Sequence, residues 1–166
     1  VIGQLMEFAR PMRIEEKITG LDTLIRHSLK MVEGDALKKH ITLEFDREPG
    51  IETAKIDADR IKQVLLNLYL NAVEAMDDGG SLTVLAKRSE RDSGLKITVS
   101  DTGPGIAKKD LPHLFDPYFT TKPSGTGLGL AIVHKIVESH NGEIEITSAP
   151  GEGTVVTILI PHALED

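Results

Sequence analysis

The chain has 166 residues, 40% of them apolar, which suits one domain with a sizeable hydrophobic core. Its formal net charge of -7 argues against a broad electrostatic surface for nucleic acid, so a bound polyanion would need a local pocket. The absence of cysteine excludes disulfides and thiolate metal sites, and no apolar run approaches the about 20 residues of a membrane span.

The apolar pattern predicts helices and strands in an irregular order. Helical spacing at 1–9 indicates the end of a longer helix, and it recurs at 20–39, at 58–76 and from about Leu128 onwards. Alternating residues predict strands at "ITLEFD", "AKIDAD", "SLTVLAKRSE", "LKITVSD", "GEIEITS" and "TVVTILIP". We therefore predict an α+β fold, a two-layer sandwich in which three helices cover one face of a mixed sheet of about five strands.

A long segment from Thr102 to Gly127 is rich in Gly, Pro, Lys and Thr and is predicted to be a lid, since such long loops are usually functional. Three alternating glycines at its end, Gly125, Gly127 and Gly129, precede the last helix. Free N–H groups at a helix start attract phosphate, whereas the alternative is a mobile loop capped by a helix. The spacing fits neither GxxxxGK[ST] nor GxGxxG, which disfavours a P-loop or dinucleotide enzyme.

The helix at 58–76 carries an unusual polar stripe. Its members step by four, four and three residues, so they share one face, and they are Gln63, Asn67, Asn71 and Glu74. Asparagine oxygens can reach a hard cation such as Mg2+. The alternative is a solvated polar face.

Three further motifs could bind a ligand. In "ITVSDTGPGI", Asp101 can accept a hydrogen bond from an exocyclic amine, although the motif also fits a plain turn. In "FDPYFTTK", we expect Phe115 and Phe119 to anchor the loop to the core, while Lys122 could meet a phosphate. The last glycine pair, "PGEGT", reads alone as a tight turn before Thr154.

Taken together, "NLYLNAVEA", "DTGPGI", "FDPYFTT", "GTGLGLAI" and "GEGT" resemble, in this order, the N, first glycine, F, second glycine and third glycine boxes of sensor histidine kinases. The wording "FARP", "NAVEAM" and "PYFTTK" looks most like the nitrogen-regulation and zinc-response subgroup. The resemblance covers about 22–161. It implies a catalytic ATP-binding domain with the Bergerat fold at 13–166, preceded at 1–12 by the end of a dimerisation and phosphoacceptor helix.

The resemblance also implies roles for individual residues. Asn71 would ligate Mg2+ with support from Asn67, and Lys122 would approach the terminal phosphate of ATP. Asp101 would accept from the adenine amino group, with Thr154 nearby. The implied catalytic residues are Asn67, Asn71 and Lys122. The implied nucleotide contacts are Asn71, Asp101, Gly103, Gly105, Ile106, Phe115, Thr120, Thr121, Lys122, Gly125, Thr126, Gly127, Leu128, Gly129, Leu130 and Thr154.

The implied activity is transfer of the γ-phosphoryl group to a histidine outside this chain, since none of its six histidines lies in an HE[IL]xNP-like setting. The expected partners are ATP or ADP, the dimerisation domain of the same parent protein and a response regulator, without nucleic acid or direct membrane contact. We expect a cytoplasmic domain of a bacterial parent protein, with membrane anchoring left open.

Two departures and two rival functions accompany this interpretation. Many family members carry a basic residue where this chain has Glu74, and an aromatic residue where it has Ala75. ATPases of the gyrase, Hsp90 and MutL type share the resemblance but place a glutamate general base where this chain has Asn67, and an amide cannot accept a proton from water. The third hypothesis is a nucleotide-responsive binding module without catalysis.

Overall fold

A mixed five-stranded sheet organises the fold, which a computed structural model describes for residues 12–120 and 129–164. In this sheet β2 (Ile41–Arg47) pairs in parallel with β4 (Gly80–Arg88), and the other three neighbouring pairs are antiparallel. The strands lie in the order β2, β4, β5 (Leu95–Asp101), β7 (Thr154–Ile160) and β6 (Glu143–Ser148). The predicted mixed sheet is confirmed.

A second, two-stranded sheet pairs β1 (Lys17–Gly20) with β3 (Thr53–Ile56) in antiparallel register. The "AKI" of the predicted strand "AKIDAD" therefore lies in this small sheet. Strand β1 was not predicted, because its four residues are mostly exposed and show no alternation.

Four helices occur in the described residues: α1 (Leu21–Lys30), α2 (Glu33–Lys38), α3 (Ala58–Ala75) and α4 (Gly129–Ser139). The inward-facing residues of the central strands are buried in one core with the helices, for example Leu82 and Val84 of β4 and Ile97 of β5. Burial of these alternate positions leaves each central strand with one face toward the helices, as the sandwich requires.

The prediction of a single helix over 20–39 is wrong in one respect, because this segment forms two helices, α1 and α2, that are separated by a turn. The N–H groups of Met31 and Val32 donate three residues back, to the carbonyls of Ser28 and Leu29, and this tight turn ends α1. Gly34, a poor helix former, then falls in the first turn of α2. Val32 and Ala36 are still both buried, so the apolar spacing continues across the break and hides it.

Helix α3 is fixed at both ends. Asp57 precedes the first residue of the helix, and its side chain accepts from the Arg60 N–H at 3.2 Å. At the other end, Lys39 Nζ donates to the carbonyls of Val73 (2.9 Å) and Met76 (3.1 Å), which would otherwise lack helical partners.

The apolar face of α3 packs into the core through five buried residues, which are Ile61, Val64, Leu65, Leu68 and Ala72. Ala75 is the last residue of the helix, is partly exposed and lies beside the loop that contains Gly103. In the ranges 12–120 and 129–164, no helix has the length and apolar character needed to cross a membrane. The helix predicted at 1–9 lies outside the described residues.

Candidate functional site

The polar face of α3 meets the start of α4. Asn67 Nδ2 donates to the carbonyl of Gln63 at 3.1 Å, and a Cβ placed on Gly129 would lie 3.4 Å from Asn67 Oδ1. The acceptor oxygen of Asn67 therefore lies beside the first residue of the helix that follows the glycine run. Asn71 lies one turn further along α3 and, like Asn67, is partly exposed.

A carboxylate lies at the end of β5. Asp101 Oδ1 accepts from the Gly103 N–H at 2.8 Å, and the ladder places Asp101 opposite Thr154 of β7. Burial raises the pKa of Asp101 above its ordinary value of 3.8, although backbone hydrogen bonds from Gly103 and Thr154 lower it in part. The predicted pair of Asp101 and Thr154 is therefore brought together by the sheet.

The loops of the first and third glycine motifs pack directly on each other. Gly105 has φ +78°, and a Cβ there would overlap the carbonyl oxygen of Ala149. Gly153 has φ +74°, and a Cβ there would overlap the carbonyl oxygen of Asp101. The Gly151 N–H also donates to the Pro104 carbonyl at 2.7 Å. Gly105 and Gly153 therefore allow the backbones of the two loops to approach each other closely.

Ser148, at the end of β6, was missed by sequence reasoning. Its Oγ accepts from the Ile106 N–H at 2.8 Å and lies 2.9 Å from Thr154 Oγ1, so it joins both loops. The sequence offers little signal for this role, since a serine at the end of "GEIEITS" fits any strand terminus.

The predicted lid is described up to Thr120, and this part contains local structure. It contains a 3-10 turn at Leu111–His113, and Leu114 is buried. The partly exposed Phe115 ring lies 5.4 Å from the ring of His134, which is exposed on α4, so this contact is with the helix surface rather than with the core. The Phe119 ring instead contacts His113 of the same loop, with centroids 5.8 Å apart, so the predicted core anchor at Phe119 is a contact within the loop.

Several predicted nucleotide contacts lie outside the described residues, namely Thr121, Lys122, Gly125, Thr126, Gly127 and Leu128. Thr120 is exposed, and Leu130 is half-buried against the core. Ile106 is partly exposed and is tied to Ser148 through its N–H.

Helix α3 connects the two halves of the site. Asn67 lies beside Gly129, while Ala75, eight residues later, lies beside Gly103, where Cβ atoms would be 3.7 Å apart. Eight residues of α-helix rise about 12 Å, so an elongated ligand could contact both ends at once. In the part of the chain that the structure describes, no group of three or more His, Cys, Asp or Glu could hold a metal ion.

Comparison with known proteins agrees with this geometry. The family of histidine kinase-, DNA gyrase B- and HSP90-like ATPases matches residues 56–164. The chain belongs to this family. Among curated relatives, the sensor histidine kinase ZraS of Escherichia coli K12 is 45% identical over 97% of the chain, and the histidine-protein kinase AtoS of the same organism is 38% identical over 97%. The chain spans 34% and 26% of the lengths of these two relatives.

Solved structures of family members show the same fold. The nucleotide-free catalytic domain of histidine kinase ThkA is 33% identical and superposes with a TM-score of 0.80, covering 90% of this chain and 97% of that one. ThkA in complex with the response regulator TrrA superposes with a TM-score of 0.82 at 28% identity, covering 98% of this chain and 46% of that one. The predicted Bergerat fold and kinase subgroup are confirmed, and the chain is an ATP-binding catalytic domain of the sensor histidine kinase type.

Proposed function

We propose that this domain binds Mg-ATP along α3 and transfers the γ-phosphoryl group to a histidine in a dimerisation domain outside the chain. The observation that carries the proposal is the position of Asn67, whose Oδ1 lies beside Gly129 at the start of α4. A helix start attracts phosphate through its free N–H groups, so the phosphates would lie between α4 and the asparagines of α3.

The adenine base would lie at the other end of α3, against Asp101 and Thr154. A carboxylate there accepts from the 6-amino group of adenine, and Gly103 and Ala75 leave room beside it, because both are small. The absence of a large side chain at Ala75 fits the close packing of the Gly103 loop against the end of α3.

For the metal, the side chains present fit Mg2+ through amide oxygen rather than a carboxylate cluster. We propose Asn71 as its ligand, Asn67 as the supporting residue and Lys122 as the group that approaches the terminal phosphate. When bound, Mg2+ neutralises charge on the phosphates. Both asparagines are partly exposed on the polar face of α3.

Transfer to a histidine is favoured over hydrolysis because the residue at position 67 is an amide. Asn67 cannot take a proton from water, and its Nδ2 already donates to the Gln63 carbonyl. A clamp ATPase would need a general base at this point. A binding module without catalysis is the remaining alternative, and it would bind ATP without transferring phosphate.

We further propose that residues 1–12 are the end of the dimerisation helix, that 13–166 form the catalytic domain, and that a response regulator receives the phosphoryl group. The complex of ThkA with its response regulator supports the last point. Relatives in Escherichia coli and Bacillus subtilis support a bacterial parent protein, and we place this domain in its cytoplasmic part.

The direct test mixes the purified chain with γ-labelled ATP and the separately produced dimerisation domain of its parent protein. We expect acid-labile, base-stable label on the acceptor domain, lost when its histidine or Asn71 of the catalytic chain is replaced. Release of free phosphate without labelling would favour the ATPase, and ATP binding with neither outcome would favour the binding module.

A further inference from the structure

Ser148 is the centre of a small hydrogen-bond network behind the proposed base site. Its Oγ lies 2.8 Å from the Ile106 N, 2.8 Å from the Gly153 carbonyl oxygen and 2.9 Å from Thr154 Oγ1. One hydroxyl at the end of β6 thus contacts the first glycine loop, the third glycine loop and the first residue of β7.

Counting hydrogens assigns a direction to each of these contacts. A serine hydroxyl has one hydrogen and two lone pairs. The Ile106 N–H can only donate and the Gly153 carbonyl can only accept, so the Ser148 hydrogen goes to Gly153. The remaining contact of Ser148 must then be donated by the Thr154 hydroxyl.

This direction determines what Thr154 can offer to a ligand. Its single hydrogen is used on Ser148, so only lone pairs of Oγ1 remain for a group on the other side. Asp101, opposite Thr154 in the ladder, is also an acceptor when ionised. Directly opposite residues of an antiparallel pair have Cβ atoms about 5 Å apart, so the two acceptors lie side by side.

We infer that Ser148 is a positioning and specificity-determining residue, which holds Thr154 as a hydrogen-bond acceptor and so selects purines with a 6-amino group over those with a 6-oxo group. The inference rests on the proposed function, because it takes the base to lie against Asp101 and Thr154. A bound water that contacts Thr154 must likewise donate to it.

The test compares affinities for ATP and inosine triphosphate, which carries a 6-oxo group and lacks guanine's 2-amino group. Dissociation constants are measured by calorimetry at fixed Mg2+. In Ser148→Ala the Thr154 hydrogen is free to rotate toward a 6-oxo group, so the preference for ATP should fall by about threefold to tenfold, the effect of one net hydrogen bond. Ser148→Thr keeps the hydroxyl and should keep the preference of the parent chain.

One background and one control variant separate this role from general damage to the fold. In Thr154→Val, which has no hydroxyl, adding Ser148→Ala should leave the preference unchanged, because the two residues act through one contact. Ser100→Ala is the matched control, since Ser100 precedes Asp101 in β5 and its side chain points to the opposite face. It should behave as the parent does.

Circular dichroism checks that each variant is folded. If Ser148→Ala is unfolded, Ser148→Cys replaces it, because a thiol of similar size is a weak donor and acceptor and should also reduce the preference. An unchanged preference in the folded variant, or a change that persists in the Thr154→Val background, overturns the inference. A parent chain that does not bind ATP would instead overturn the proposed function itself.

Discussion

Replacing Gly153 with alanine should displace Asp101, whereas the same change at Gly151 should not. Both glycines lie in the turn between β6 and β7 with positive φ, +80° at Gly151 and +74° at Gly153. A Cβ on Gly151 has no atom within 4 Å. A Cβ on Gly153 would overlap the Asp101 carbonyl oxygen and lie 3.3 Å from the Thr102 Cα.

The two variants share one cost and differ in another. A side chain at positive φ costs about 1–2 kcal/mol of unfolding free energy, and this applies to both. Gly153→Ala must also move the backbone at the end of β5, which adds about 1–3 kcal/mol. We therefore expect losses of about 1–2 kcal/mol for Gly151→Ala and about 2–5 kcal/mol for Gly153→Ala.

Urea unfolding measures these losses, and calorimetry measures the effect on ATP. Gly151→Ala should bind ATP as the parent does, while Gly153→Ala should bind it about tenfold more weakly, because the carboxylate of Asp101 moves from its place. Equal stability losses together with equal ATP affinities in the two variants would refute the argument that Gly153 exists to let the third glycine loop approach Asp101.

Other substitutions test separate parts of the site. Asn71→Ala should abolish the Mg2+ dependence of ATP binding in calorimetry, whereas Gln63→Ala, two turns earlier on the same face, should retain it. The same Mg2+ dependence in both variants would exclude Asn71 as the metal ligand. Asp101→Asn should bind ATP more weakly and narrow the preference over GTP in competition assays, because a rotated amide offers a donor. ATP affinity of the parent should fall as pH is lowered, beginning above pH 3.8, because burial raises the pKa of Asp101 and protonation turns one of its acceptor oxygens into a donor. Asp101→Asn supplies the baseline at each pH, and parallel profiles of the two proteins would exclude a role for the carboxylate. Tyr69→Phe removes the contact of the buried tyrosine hydroxyl with Ser28 Oγ (3.2 Å) and should lower the unfolding free energy by about 0.5–1.5 kcal/mol. Nucleotide affinity should stay unchanged, and a change in affinity would show that α1 and the site are coupled.

The sheet, α3 and α4 could be predicted because their apolar periods are long and regular. The break between α1 and α2 could not, because Val32 and Ala36 keep the helical spacing on both sides of it. Strand β1 was missed for the opposite reason, since four mostly exposed residues carry no period.

Within the site, motif residues such as Asp101 and Thr154 could be recognised from the sequence, but their contacts could not. Ladder register, which places these two residues opposite each other, depends on pairing between strands more than fifty positions apart. The Ser148 network likewise joins Ile106 to a residue 42 positions away, and no local pattern encodes such a contact. Gly105 and Gly153 were assigned to ligand approach and to a turn, whereas each allows two backbones to meet.

The central claim is that the nucleotide lies along α3, with its base near Gly103 and its phosphates near Gly129. Titration of the isotopically labelled chain with Mg-ATP, followed through backbone amide resonances, tests this most directly. We expect the largest shifts at Gly103, Ile106 and Gly129, with little change around the distant cavity lined by Arg91 and Asn141. Shifts concentrated at that cavity, with Gly103 and Gly129 unaffected, would contradict the account.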